Sequence, residues 1–152
     1  MHLYVHNPFC HRICPYCAFF KHTQASTDMK SFIRALGREA ESRATALATN
    51  REGDPPTLYF GGGTHSMLSD THLGRLMESL DRLVPVDKLD EFSFEANPAT
   101  FTEKKVRFWR SLGMTRVSLG VQSRDSGILQ LLGREHTPAQ ALHSVEMLTN
   151  AG

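Results

Sequence analysis

Apolar and polar positions along the 152 residues switch repeatedly between two periods. His2 to His6 (HLYVH) alternates and carries β-branched and aromatic side chains, which predicts a short strand stopped by Asn7-Pro8. From Asp28 to about Asn50, Met29, Phe32, Ile33, Leu36, Ala40, Ala44 and Leu47 fall on one helical stripe, ended by Gly53 and Pro55-Pro56. Thr57 to Phe60 (TLYF) reads as a buried strand and runs straight into Gly61-Gly62-Gly63-Thr64. A helix from about Asp70 to Leu83 follows, capped by Ser69, with Leu73, Leu76, Met77, Leu80 and Leu83 inward. Glu91 to Ala96 (EFSFEA) is a third strand, closed by Asn97-Pro98. The next helix starts at Thr102, spans about Glu103 to Leu112 and stops at Gly113. Thr115 to Val121 is a fourth strand, and helices over about Asp125–Leu132 and Pro138–Asn150 complete the pattern.

The pattern is strand–loop–helix four times over, an α/β chain whose strands must lie parallel, joined by right-handed crossovers. Ligands of such sheets sit at the carboxyl ends of the strands. The unusual residues fall there: a cysteine loop after strand one, the glycine run after strand two, Glu95-Ala96-Asn97-Pro98 after strand three, and Gln122-Ser123 after strand four.

Composition narrows the class. A net charge of +1 and 22% charged residues give no basic excess for a nucleic-acid backbone. No apolar run approaches the roughly 18 residues of a membrane span, and Pro8 and Cys10 break any secretory leader after Met1. The expectation is a soluble, cytoplasmic protein of one domain.

All three cysteines lie between Cys10 and Cys17 as C-x3-C-x2-C. An odd count in one loop does not suit a disulfide framework, which leaves metal ligation or plain packing. Three thiolates can hold three irons of a 4Fe-4S cluster and leave one iron open, or hold zinc with His6 or His11 as a fourth donor. The glycine run lacks the Lys of a P-loop; it is either a tight turn or a cradle whose free N–H groups receive a carboxylate or amine. Glu95 points away from Phe92 and Phe94, into a barrel or a structural ion pair. Gln122 and Arg134 have equally ordinary readings, as a loop residue and a solvated helix-end cation. Trp109 shares the stripe of Val106 and Leu112 and is assigned to the core. The eight histidines are scattered and read mostly as surface or hydrogen-bonded residues.

The stretch Tyr4-Val5-His6-Asn7-Pro8-Phe9-Cys10-His11-Arg12-Ile13-Cys14-Pro15-Tyr16-Cys17 resembles the radical S-adenosylmethionine (SAM) enzymes, in the branch of oxygen-independent coproporphyrinogen III oxidase and its HemW-type relatives. Gly61-Gly62-Gly63-Thr64, Ser93-Phe94-Glu95-Ala96-Asn97-Pro98, Arg116 to Ser123 (RVSLGVQS) and Leu132 to Thr137 (LGREHT) resemble later signatures of that branch in order and spacing. The resemblance implies a partial (β/α)6 barrel of which about four units are present, so that residues 1–152 are the N-terminal portion of a barrel domain lacking its remaining strands and C-terminal domain. It implies a 4Fe-4S cluster on Cys10, Cys14 and Cys17, and SAM bound by Gly62, Gly63, Thr64, Glu95, Gln122 and Arg134, with Tyr4 and Tyr16 close by. Reductive cleavage of SAM to a 5′-deoxyadenosyl radical is the implied chemistry.

Two positions depart from the family pattern. Phe19 stands where an oxidase resembles a chain with a further Cys, which favours a heme chaperone of the HemW type over an enzyme that decarboxylates a porphyrinogen. His65 stands where the family continues GGGT with Pro, a change of turn rather than a ligand. The resemblance therefore implies heme or a porphyrin, an electron donor and a heme-acceptor protein as partners. The oxidase, and a non-enzymatic zinc or iron–sulfur module, remain as alternatives.

Overall fold

The computed structural model describes residues 2–23, 28–48 and 56–152. In chain order they form β1 (His2–Asn7), β2 (Phe9–Cys10), β3 (His22–Thr23), α1 (Met29–Ala48), β4 (Thr57–Gly62) and α2 (Asp70–Asp81). After these come β5 (Glu91–Ala96), α3 (Glu103–Ser111), β6 (Arg116–Leu119), α4 (Ser126–Leu131) and α5 (Pro138–Asn150). The expected helix end at Asn50 and the breakers Gly53 and Pro55 lie outside the described residues, as does the Leu47 side chain.

Four strands make one parallel sheet in the order β1-β4-β5-β6. Spatial order equals chain order, the arrangement of a β/α barrel wall rather than of a doubly wound sheet, whose order reverses at a switch point. The four strand–loop–helix units stand where the hydrophobic pattern put them. The fourth strand, Arg116–Leu119, is shorter than expected; Gly120 N–H still donates to Ala96 O at 2.9 Å, and Val121 turns back with its N–H on Leu119 O. Two elements were not foreseen: β2 and β3 pair as a two-stranded parallel sheet on either side of the cysteine loop. Strands of two residues carry too little alternation to show as a pattern.

Period-two alternation divides the sheet into two faces. Val5, Leu58, Phe60, Phe92, Phe94 and Ala96 are buried with Ile33, Leu73, Leu76, Leu80, Val106 and Trp109 in one core. Trp109 is central, its ring 4.7 Å from Phe94 and 5.1 Å from Phe101, as its place on the helical stripe required. Truncating such a side chain costs about 3–5 kcal/mol. The opposite face is polar: Tyr4, His6, Tyr59, Glu95, Arg116 and Ser118 occupy the alternate positions.

Caps fix the helix starts that the site depends on. Ser69, Thr102 and Asp125 each accept a backbone N–H three residues on, and Thr137 with Gln140 completes a capping box. Gly113 ends α3 at φ +88°, where a side chain would be strained.

Candidate functional site

The loop that follows β1 is held at both ends before any metal is considered. Asn7 Oδ1 accepts the Phe9 N–H at 3.2 Å, turning the chain out of β1. His22 N–H then donates to Pro8 O at 2.8 Å, so β2 and β3 pin the loop's start to its finish. Inside it, Cys17 N–H closes a turn on Cys14 O at 3.1 Å. Lys21 Nζ donates to the carbonyls of Cys17 and Phe19. The three thiols are half-buried and form no disulfide.

They line one cleft of about 250 Å³ with Tyr16, Gly62, Gly63, Thr64, Glu95, Gln122 and Arg134. Ten of the eleven residues singled out from the sequence thus share a wall. Tyr4 is not among the lining residues; it is 55% exposed on the polar face of the sheet and stacked on Tyr59 at 5.9 Å. Phe19, 71% exposed, stands on the rim. Burial pushes the Cys10 thiol pKa up, partly countered by a hydrogen bond to the Thr64 hydroxyl.

Of the two readings of the glycine run, a tight turn or a cradle of free donors, the hydrogen bonds bear on the second. Gly62 N–H donates to Glu95 Oε2 at 3.1 Å, Gly63 N–H to Asn7 O at 2.6 Å and Thr64 N–H to Phe9 O at 2.8 Å, so all three donors are taken. Glycine is required because the end of β4 lies directly against the start of the cysteine loop. A Cβ at Gly63 would stand 2.4 Å from Phe9 O, and one at Gly62, where φ is +112°, would stand 2.5 Å from the His6 ring.

Arg134 is not the solvated helix-end cation of the ordinary reading. Its Nη2 donates to Asn97 Oδ1 at 2.6 Å and to Gly120 O at 2.7 Å, and its Nη1 lies 3.8 Å from Cys14 Sγ. One guanidinium therefore ties together the loops after β1, β5 and β6, while its Nε is buried without a partner among the described residues. Gln122 reaches the cleft from a left-handed backbone at φ +67°.

Two participants were missed in the sequence. Asn97, read as a strand stop on the ligand-bearing rim but given no role, donates to Thr64 Oγ1 at 2.8 Å while accepting from Arg134. Tyr59, read only as a strand residue, donates to Glu95 Oε1 at 2.6 Å. Burial, with the Glu95 hydrogen bond and charge behind it, pushes the Tyr59 phenol pKa up to about 12. The signal for Tyr59 was available: in its strand it alternates with Leu58 and Phe60, on the polar face and two residues before Gly61.

Among the described residues no three Cys, His, Asp or Glu donors close on a single ion. Three soft donors spread along one cleft fit an iron–sulfur group, whose thiolates bind separate irons, better than one tetrahedral zinc. No helix among the described residues is long and apolar enough to cross a membrane.

The model of the radical SAM superfamily matches residues 4–152. The heme chaperone HemW of Lactococcus lactis is 35% identical over 149 residues, covering 98% of this chain and 38% of that protein. Its Bacillus subtilis counterpart is 33% identical over 150 residues, covering 98% of this chain and 39% of the relative. The solved coproporphyrinogen III oxidase of Escherichia coli superposes with a TM-score of 0.86 at 28% identity, covering 99% of this chain and 34% of that one. The chain therefore spans less than two-fifths of the length of these proteins.

Proposed function

The chain belongs to the radical SAM superfamily, and from that premise we propose that it acts as a heme chaperone of the HemW type, binding a 4Fe-4S cluster, SAM and heme for delivery to an acceptor protein. The observation that carries this reading is Phe19. An exposed apolar ring on the rim of the thiol cleft suits stacking against a flat macrocycle. It offers none of the proton or hydrogen-atom chemistry of the Cys that resembles the oxidase pattern. The names of the Lactococcus and Bacillus relatives support the same branch.

On this reading residues 1–152 supply the first four units of a six-unit barrel in a cytoplasmic protein. Cys10, Cys14 and Cys17 hold the cluster, which when bound supplies one electron to SAM. The Glu95 carboxylate, already oriented by Tyr59 and the Gly62 N–H, receives the methionyl ammonium. Arg134 holds three loops at the distances that shape the cleft, while Gly62, Gly63 and Thr64 keep its floor free of bulk. Gln122 and Tyr16 close the SAM site, and Tyr4 flanks it from the sheet face.

The second reading is oxidative decarboxylation of coproporphyrinogen III, favoured by the fold's likeness to the Escherichia coli oxidase. The test uses the full-length protein with its cluster reconstituted anaerobically, reductant, SAM and either heme or the porphyrinogen. The chaperone reading expects about four irons per chain, a change in the reduced cluster's resonance spectrum on adding SAM, bound heme and no vinyl product. Vinyl product over many turnovers establishes the oxidase instead. One tightly held zinc without iron–sulfur absorbance overturns both.

A further inference from the structure

A second cavity, about 430 Å³, adjoins the thiol cleft, and Arg12, Cys14, Thr64, Asn97 and Arg134 line both spaces. The outer cavity gains Lys105 from the first turn of α3, and His136 from the loop joining α4 to α5. Three of its described lining side chains, Arg12, Lys105 and Arg134, are cations, against one acid, Glu135.

Two of these cations are available to a partner. The Lys105 ammonium is half-buried and makes no hydrogen bond and no ion pair within 4 Å among the described residues; Asp70 is the carboxylate whose charge acts on it. Arg12 meets Glu135 at 3.8 Å, with both side chains more than half exposed. A pair so exposed contributes about 0–1 kcal/mol and exchanges readily for another carboxylate. The cleft itself is committed to SAM in the reading above. A protein-sized reductant would meet the thiol ligands from outside the cleft, and this cavity shares Cys14 with the cleft and carries more cations than acids.

We propose that the outer cavity is the docking site of the one-electron donor, an acidic redox protein whose carboxylates meet Lys105 and Arg12 while the electron enters through Cys14. The inference rests on the reading that Cys10, Cys14 and Cys17 hold the cluster. In the step, the donor's redox centre is oxidised by one electron and the cluster is reduced by one; no bond forms or breaks. Opposed charges steer such encounters and raise the association rate, and redox partners commonly meet over small, weak interfaces.

The experiment uses the full-length protein, with reduced flavodoxin as an acidic protein donor and dithionite as a small reductant. Cluster reduction is followed by absorbance, and binding of oxidised flavodoxin to the unreduced protein by calorimetry. The wild-type rate with flavodoxin should fall steeply with added salt. Lys105→Glu and Arg12→Glu should each slow that rate and weaken binding by about tenfold, with Lys105→Gln intermediate. Iron content and the dithionite rate should hold in both Lys105 variants, since Lys105 lines the outer cavity and not the thiol cleft. Unchanged flavodoxin rates and affinities in these variants overturn the docking site alone, as does equal slowing with dithionite. A wild-type chain that takes up no cluster overturns the underlying reading as well.

Discussion

The Tyr59 hydroxyl donates to Oε1 of Glu95 at 2.6 Å, across the junction of β4 and β5, while the Gly62 N–H takes Oε2 at 3.1 Å. The carboxylate is therefore aimed by the neighbouring strand before any ligand arrives. Tyr59→Phe frees one oxygen and should weaken SAM binding to the reconstituted protein by about 1 kcal/mol, roughly fivefold, by calorimetry. Iron content should not change. Equal SAM affinity in the variant would show that Glu95 needs no such support.

The same pair sets an alkaline limit. The Tyr59 pKa is raised from 10.0 to about 12, so the native state keeps a proton that the unfolded chain releases near pH 10. Its contribution to stability is complete below pH 10 and is lost as pH rises towards 12. Denaturant midpoints of the wild type should fall across that window, and those of Tyr59→Phe should fall less.

His65 has the opposite sign. It is fully buried between Phe60 and Phe94, at ring distances of 5.3 and 5.7 Å, and neither ring nitrogen has a partner among the described residues. Burial lowers its pKa from 6.5 to about 3. The unfolded chain binds a proton that the native state refuses, so this contribution is intact above pH 6.5 and erodes as pH falls towards 3. His65 is also the first residue of a short 3-10 turn, a position that favours Pro. His65→Pro removes two unsatisfied nitrogens worth about 1–3 kcal/mol and loses some ring packing. A net gain near 1 kcal/mol at pH 7, larger at pH 5, is expected from thermal unfolding.

What could be read from the sequence follows the range of each interaction. Strands β4 and β5 and helices α2, α3 and α5 were legible because burial imposes a period on neighbouring residues, and the cysteine spacing was legible because one loop contains it. The β2–β3 pair was not, since its partners lie far apart in the chain and each is two residues long. Nor was the role of Asn97, whose partners Thr64 and Arg134 come from other loops. The glycine run was read as either a tight turn or a cradle for a ligand; its Gly62, Gly63 and Thr64 N–H groups are bonded within the chain, while the same three residues line the cleft. What the sequence does not show is the close backbone approach of Phe9 O to Gly63.

That position makes Gly63 a sensitive test of the fold. Gly63→Ala places a Cβ against main chain, which cannot swing aside as a side chain can. A loss of about 2 kcal/mol or more is expected in denaturant unfolding, with iron uptake reduced in parallel. Normal stability would mean that β4 and the cysteine loop can separate freely.

Arg134→Lys keeps the charge but loses the planar fork that reaches Asn97 and Gly120 together. Stability should fall by about 1–2 kcal/mol and SAM affinity with it, while the charge beside Cys14 persists. Arg134→Met should shift the cluster's reduction potential further than Arg134→Lys, because only Met removes the cation 3.8 Å from the sulfur. Identical potentials in the two variants would assign Arg134 to loop alignment alone.

The pinned loop changes what happens when a metal is lost. In a small metal-folded domain, the apo chain must search for its liganding shape, and the entropy of closing the loop is subtracted from affinity at every binding event. Here the main chain closes the loop itself, through the His22 N–H to Pro8 O bond and the β2–β3 pair. Damage to the metal group, as by oxygen, would leave a receptacle rather than an unfolded tail. Repair then becomes a matter of resupplying iron and sulfide, with no refolding of the protein around them.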